Sequence, residues 1–522
     1  MTRGRAGAIV AVALAAGLAL RLVRLDARPM HHDEANQALK FGALLERGEY
    51  AYDAHDHHGP TLYYVTLPFA WLRGQATLAS LDERTLRAVP AAFGAATVLL
   101  LPLLAPGIGR TAVAAATLLM ATSPAMVFYS RMYIQESMFA CFTLTFAIAI
   151  GRAATEQGWQ WPVLAGIAAG LAAATKETAV IVVPASLTAC ALAWWSLGSR
   201  RSSFALTNAG SAAMVSLAIG AGIAALFYSS FLVHPGGVLE PVRAAATYFQ
   251  RGIDPENHVQ PWHYYVRLLA WSSSGGLVWT EALVLILATV GAATAWTALD
   301  ASRPDRVFWH RYLTANAAIA LAVFSTIPYK TPWNLLPFYT VTIVSAGIGI
   351  SALARATGSR AAHVLLVGAV AIASAHLSWQ AWRASVVYAS DPRNPYVYAQ
   401  TVPDAVRMAA RIRDLAALHR ERERMPVTVI APAGEQWPLP WYLRTMTHVG
   451  YWTDASDAPD LTAPVIVSSA GHTDLLDATL GDRYVSEFFG LRPEVLLSVY
   501  VERSLWDRFL SRAGPGERGR GD

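Results

Sequence analysis

The chain has 522 residues, is 54% hydrophobic and only 15% charged, and carries a formal net charge of +5. Soluble globular chains carry roughly a quarter charged residues, so this one has too little charge to clothe a soluble surface of its size. The modest positive balance argues against a nucleic-acid partner, and two cysteines, Cys141 and Cys190, both inside apolar runs, exclude a disulfide framework.

Nearly uncharged runs recur from Ala6 to about Trp379, many close to the ~20 residues of a bilayer span. The expected class is therefore an α-helical polytopic membrane protein. The first run, Ala6–Leu20, has the basic start of a signal peptide but lacks a small-x-small cleavage site, so an uncleaved span is expected.

Immediately after it comes "RPMHHDEANQALKFG", Arg28 to Gly42. Asp33 has a like charge beside it and apolar surroundings, which raise a carboxyl pKa and suit it to take a proton. Adjacent residues point apart, so one of Asp33 and Glu34 would do chemistry and the other would orient or pair. Acids opening a helix over "ANQALKFGALLE" would explain the pair equally well.

A second burst, "YDAHDHHGPTLYY", runs from Tyr52 to Tyr64. Together the bursts hold His31, His32, His55, His57, His58, Asp53 and Asp56. Histidines would suit zinc, while magnesium or manganese would prefer carboxylates. The candidate metal set is His31, His32, His57, His58 and Glu136. No HExxH spacing is present, and hydrogen bonding of the histidines to phosphate or sugar is the competing role. Thr61–Trp71 is apolar but too short to span; it is expected to lie in the interface with Tyr63, Tyr64 and Trp71 at headgroup depth.

Ten further candidate spans follow: Leu86–Ala105, Thr111–Phe128, Met138–Ile150, Trp161–Ala174, Ala179–Trp195, Phe204–Leu232, Leu277–Ala298, Tyr312–Ile327, Leu335–Leu353 and Ala361–Leu377. With about eleven spans in all, the short loops on the N-terminal side collect Arg110, Arg152, Arg200, Arg201, Arg303, Arg306, Arg311, Arg355 and Arg360. The opposite short loops hold only Arg131, Lys176 and Lys330. Positive charge favours the cytoplasm, which predicts an N-in, C-out topology with loops 21–85 and 233–275 extracytoplasmic.

On that face the topology gathers Asp33, Glu34, Glu136, Lys176 and Lys330. Ionisable groups at membrane depth are costly, so a set converging on one face points to function. Snorkelling and interface anchoring are the alternatives for each. Arg131, Lys176 and Lys330 could neutralise a phosphate, stabilising charge on a departing phosphoryl oxygen. In the second long loop, His258, Trp262 and His263 would line a sugar or polyprenyl path, or lie along the bilayer interface.

Residues 1–380 thus form a membrane domain, and residues 388–522 read as an extracytoplasmic α/β domain. A helix is expected over Asp404–His419 and strands over "PVTVIA", "APVIVSS" and "VLLSVYVE". No nucleotide-binding glycine-rich loop occurs there.

The order of these motifs resembles the GT-C superfamily of lipid-linked-sugar glycosyltransferases, chiefly the protein O-mannosyltransferases and the aminoarabinose transferase of lipid A. "PMHHDEA" is similar to their Asp-Glu motif, and "HHGPTLYYVTLPFAWL" to their juxtamembrane segment. "ATSPAMVFYSRMYIQESMFACFTLTFAI" is similar to their second acidic loop, and "GLAAATKETAVIVVP" to their Thr-Lys turn. More narrowly, "VFYSRMYIQE", "YKTPWNLLPF" and "EQWPLPWYLR" resemble a flippase-activity-associated subgroup.

The resemblance implies inverting transfer of a sugar from a polyprenyl phosphate to an acceptor hydroxyl outside the cytoplasm. Asp33 then matches the general base, and Glu136 the second acidic position near donor phosphate or metal, accompanied by Arg131. Where the relatives have lysine before proline, this chain reads His58-Gly59-Pro60, so the phosphate contact of that lysine would be lost, or supplied by His58 or Lys330. The tail would bind the acceptor or a partner. Two rivals remain: a non-catalytic scaffold assisting translocation of lipid-linked glycans, and a transporter, disfavoured because no internal repeat is found and the charges sit at one face.

Overall fold

The computed structural model describes residues 1–53, 58–199, 209–252, 258–297, 302–432, 434–458 and 461–512. His55, Asp56 and His57 lie outside the described residues.

The apolar run near the N-terminus forms α1 (Arg3–Leu22). The acidic burst then opens an amphipathic helix, α2 (His32–Arg47), which stops at Gly48 in the left-handed conformation (φ 69°). The short apolar segment is α3 (Thr61–Leu72), twelve residues long. Tyr63, expected at headgroup depth, is instead fully buried with its hydroxyl on Gln37, whereas Trp71 is exposed.

The bundle continues through α4 (Glu83–Leu100), capped by the Asp82 carboxylate, which accepts Thr85 N–H at 2.8 Å. Next come α5 (Ala105–Ile108), α6 (Arg110–Thr122), α7 (Pro124–Tyr129), α8 (Glu136–Thr155), α9 (Gln160–Ala173), α10 (Ala179–Trp195) and α11 (Ala209–Tyr228). The second long loop holds α12 (Glu240–Gly252), α13 (Tyr264–Ala270) and a hairpin of β1 (Ser272–Ser274) with β2 (Leu277–Trp279). That hairpin takes the first residues of one expected span, so its helix, α14 (Ala282–Thr297), starts later than the hydropathy suggested. The last three bundle helices are α15 (Pro304–Thr326), α16 (Leu336–Ala356) and α17 (Arg360–Trp382).

Among the described residues six helical segments are long and apolar enough to cross a membrane: Arg3–Leu22, Glu83–Ile108, Glu136–Thr155, Ala209–Tyr228, Pro332–Ala356 and Arg360–Val387. α16 is enclosed on nearly all sides, while α11 and α17 leave most of their apolar surface uncovered, as helices facing lipid would. Small residues let the inner helices approach. A Cβ at Gly349 of α16 would lie 2.1 Å from the Leu287 carbonyl, and one at Gly291 of α14 only 2.1 Å from that of Ser345.

Beyond α17 the chain forms α18 (Pro403–Leu418), β3 (Val427–Ile430), α19 (Leu439–Tyr442), β4 (Val449–Trp452), β5 (Val465–Ser469), α20 (Thr473–Leu480), β6 (Tyr484–Arg492), β7 (Val495–Glu502) and α21 (Arg503–Arg512). The sheet runs β4-β3-β5-β7-β6, with β3 parallel to both β4 and β5 and the β5–β7 and β7–β6 pairs antiparallel. The three strands visible as apolar runs are its centre, while both edges were missed. β4 is only four residues, and the polar residues and Gly490 of β6 break up its apolar content.

The tail sits on the polypeptide between α1 and α4. Met30 N–H donates to the Tyr442 hydroxyl (2.7 Å), Gln400 to the Pro29 carbonyl (2.9 Å) and the Trp441 indole to Glu83 (2.8 Å). Met30, Leu62 and Leu86 share one apolar core with Met408, Val427 and Trp441. The tail is therefore a lid on the acidic burst rather than a tethered appendage.

Candidate active site

α2 begins in a way that separates the two adjacent acids. His31 is the N-cap: its Nδ1 accepts Asp33 N–H at 3.1 Å, while Glu34 reaches back to accept His31 N–H at 3.0 Å. Glu34 is thereby turned into the protein. It is fully buried, and Arg87 of α4 grips it with Nε at 2.7 Å and Nη2 at 2.9 Å. Tyr133 N–H (2.8 Å) and Arg28 (3.5 Å) complete its shell.

Burial opposes ionisation of Glu34, but the Arg87 and Arg28 charges and the Arg87 hydrogen bonds outweigh it and hold the carboxyl at about 2. Arg87 also donates to the carbonyls of Leu25, Arg28 and Pro29. Glu34, expected at the chemistry, is thus an internal strut that fixes the loop after α1.

Asp33 points the other way, with 43% of its side chain exposed and Oδ2 3.7 Å from His31 Nδ1. Its charge is felt by His258 and by Tyr398 of the linker after α17. Burial pulls the His258 imidazole below its ordinary range, and Asp33 partly opposes this. His258 Nδ1 meets the Tyr398 hydroxyl, and Trp333 stands edge-on to both His31 and Tyr398 at 5.7 Å.

His258 reaches this place because its loop is pinned to the turn before α16. Lys330 N–H donates to the His258 carbonyl (3.0 Å) and Gln260 N–H to that of Pro328 (3.1 Å). Backbone strain accompanies the contact, since His258 has φ 53°. Trp262, 72% exposed, and His263 lie farther along, stacked edge-on with each other at 5.5 Å. Of the expected loop residues, His258 lies within reach of the Asp33 charge.

The expected cations divide. Lys176, in the turn between α9 and α10, is buried and bonds Glu136 at 2.6 Å and Asn334 Oδ1 at 2.8 Å. The other Glu136 oxygen, Oε2, is buried with no protein partner among the described residues. Asn334 adjoins Trp333, which ties this cluster to the Asp33 side.

Arg131 is placed elsewhere. Its guanidinium donates to the carbonyls of Leu20 (2.9 Å), Arg21 (3.0 Å) and Arg24 (3.1 Å), closing the end of α1. Five residues of spacing suggested it would accompany Glu136, but unpaired carbonyls at a helix C-terminus are the stronger attraction. Lys330 likewise bonds the carbonyls of Gln260 (2.9 Å) and Ile327. His58 pairs with Glu177 at 2.8 Å, which keeps that buried carboxyl below its ordinary range against its desolvation, and Tyr52 also reaches Glu177 (3.3 Å).

The candidate metal set does not assemble. Both His31 nitrogens are engaged: with Nδ1 accepting from Asp33, Nε2 carries the hydrogen and donates to the Tyr398 carbonyl at 2.9 Å. His32 stacks on Trp437 (5.6 Å), His58 faces Glu177, Glu136 faces Lys176, and His57 is outside the described residues. Among the described residues no three His, Cys, Asp or Glu side chains gather around a point. The described members of the set, His31, His32, His58 and Glu136, do not converge on one point.

Sequence reasoning missed Arg87, Asn334, Trp333 and Tyr398. A lone arginine or asparagine inside an apolar run was the available signal for the first two. Tyr398 carried none, because its role depends on how the tail folds back.

This arrangement, an acidic helix start and a long loop meeting at one end of a helical bundle under a soluble tail, is the GT-C fold of membrane glycosyltransferases, and the chain is a multi-pass membrane protein. It superimposes on ArnT from Cupriavidus metallidurans bound to undecaprenyl phosphate, with a TM-score of 0.63 and 15% identity over 97% of this chain and 99% of that one. It also superimposes on the oligosaccharyltransferase AglB from Archaeoglobus fulgidus, in complex with an inhibitory peptide and a dolichol-phosphate, with a TM-score of 0.58 and 13% identity over 96% and 74%. Residues 12–234 match the family model of dolichyl-phosphate-mannose-protein mannosyltransferases. No curated protein sequence matches the chain.

Proposed function

We propose that the chain is an inverting glycosyltransferase that moves a sugar from a polyprenyl phosphate to an acceptor hydroxyl, with Asp33 as general base. The observation that carries this reading is the division of the acidic pair. Glu34 is buried and fully matched by arginines, while Asp33 keeps an open carboxylate facing His258 and Tyr398.

In the reaction Asp33 takes the acceptor hydroxyl proton as that oxygen bonds to the anomeric carbon. The anomeric carbon–phosphate oxygen bond breaks on the opposite face, and its electron pair leaves with the polyprenyl phosphate. Lys176 is assigned to receive that charge, because Arg131 and Lys330 donate to backbone carbonyls. A phosphate oxygen would replace Glu136 on Lys176 or share it. The reading also takes the eleven apolar helices as spans with the N-terminus inside. The site end is then extracytoplasmic, and Arg152 and Arg311, on the carbonyls of Leu103 and Ser196, lie at the cytoplasmic end.

The test is transfer of radiolabelled sugar from polyprenyl-phosphate donors in vesicles. Asp33→Asn is expected to lower the rate by at least about 100-fold. Wild-type rates in that variant would remove Asp33 from the base role. Both Arg131 and Lys330 are engaged by backbone carbonyls, which leaves few cations for a donor phosphate. Failure of the wild type with every donor would therefore favour a non-catalytic scaffold for translocation of lipid-linked glycans.

A further inference from the structure

Glu281 stands immediately before α14, fully buried, and takes no part in the chemistry above. Its Oε1 accepts from Ala125 N–H (3.0 Å) and the Tyr396 hydroxyl (2.8 Å), and its Oε2 from the hydroxyls of Ser123 (2.6 Å) and Tyr339 (2.8 Å). Among the described residues no cation pairs with it. A buried carboxyl held only by neutral donors is costly to desolvate and is kept where its geometry serves a purpose.

The donors lead toward Asp33. Ser123 and Ala125 belong to the start of α7, and the last residue of α7, Tyr129, donates its hydroxyl to the Tyr396 carbonyl at 3.0 Å. Tyr396 is thus held at both ends, by Glu281 at its phenol and by Tyr129 at its carbonyl. Two residues on, the Tyr398 carbonyl receives His31 Nε2–H at 2.9 Å, which leaves His31 Nδ1 to accept Asp33 N–H. A continuous path therefore runs Glu281–Tyr396–Tyr398–His31–Asp33. Tyr339, on α16, bonds the same carboxylate but lies off that path.

We infer that Glu281 is a positioning residue for the transfer reaction: through Tyr396 it holds the linker that sets the His31 tautomer and aims Asp33. This rests on Asp33 being the base. It assigns a catalytic consequence to a hydrogen bond remote from any substrate, by the sensitivity of rate to small misplacement of a reacting group.

Tyr396→Phe and Tyr339→Phe each delete one phenol from Glu281 and make a matched pair, to be assayed as the full-length protein in vesicles beside Asp33→Asn. Tyr396→Phe is expected to lower kcat about tenfold with donor KM unchanged, and to move the acidic limb of the pH–rate profile. Tyr339→Phe is expected to keep kcat within about twofold and the acidic limb in place, while both variants lose similar thermal stability. Equal effects of the two on kcat, or none from Tyr396→Phe while Asp33→Asn is inactive, would overturn the inference. Wild-type activity in Asp33→Asn would instead overturn the base assignment beneath it.

Discussion

Two buried ion pairs at the same end of the bundle are built differently. Glu34 accepts from Arg87 twice and from His31 and Tyr133 backbone amides, with Arg28 behind, so each oxygen has several donors. Glu136 has Lys176 on one oxygen and, among the described residues, no partner on the other. A saturated carboxylate is a joint, because nothing can approach it without breaking an existing bond. A half-satisfied one beside a lysine can exchange partners when an anion arrives. On the proposed function, the same pairing chemistry stabilises the fold in one place and serves the donor phosphate in the other.

That contrast can be broken by substitution. The largest effect should come from Arg87→Ala, which strands a buried carboxylate and frees the carbonyls of the loop after α1. We expect a loss of about 3–5 kcal/mol, read as a fall in the thermal midpoint or failure to accumulate. A normal midpoint would contradict the strut role of Glu34.

Next, Lys176→Gln should cost less in stability, because the glutamine amide can still donate to Glu136, yet should raise donor KM or lower kcat by about tenfold or more. An unaltered donor dependence would remove Lys176 from the phosphate.

A smaller effect is expected from acid. The folded protein binds the Glu34 proton only near pH 2, whereas the unfolded chain binds it near 4.5. The carboxylate's contribution is thus complete above the unfolded value and is lost as pH falls from 4.5 toward 2. Glu34→Gln should flatten that part of a midpoint-against-pH curve. Smallest of all, Trp262→Ala should leave stability within about 0.5 kcal/mol, since its ring is exposed.

How much of this was legible beforehand follows from the range of the forces involved. Hydropathy is local, so the apolar helices and the three inner tail strands could be read directly. The short edge strand β4 and the broken pattern of β6 could not. The acidic pair was visible as two letters, but which acid turns inward is decided by Arg87, 53 positions away. Arg131 misled because nearness in sequence to Glu136 was the only clue, while its real partners are carbonyls more than a hundred positions earlier. Tyr398 was invisible for the same reason.

The most direct test is the rate of sugar transfer by Asp33→Asn in vesicles, normalised to folded protein. Asparagine keeps the N–H that His31 caps and removes only the basic oxygen. The account predicts an intact thermal midpoint with transfer reduced at least about 100-fold. An intact midpoint with wild-type transfer would contradict it.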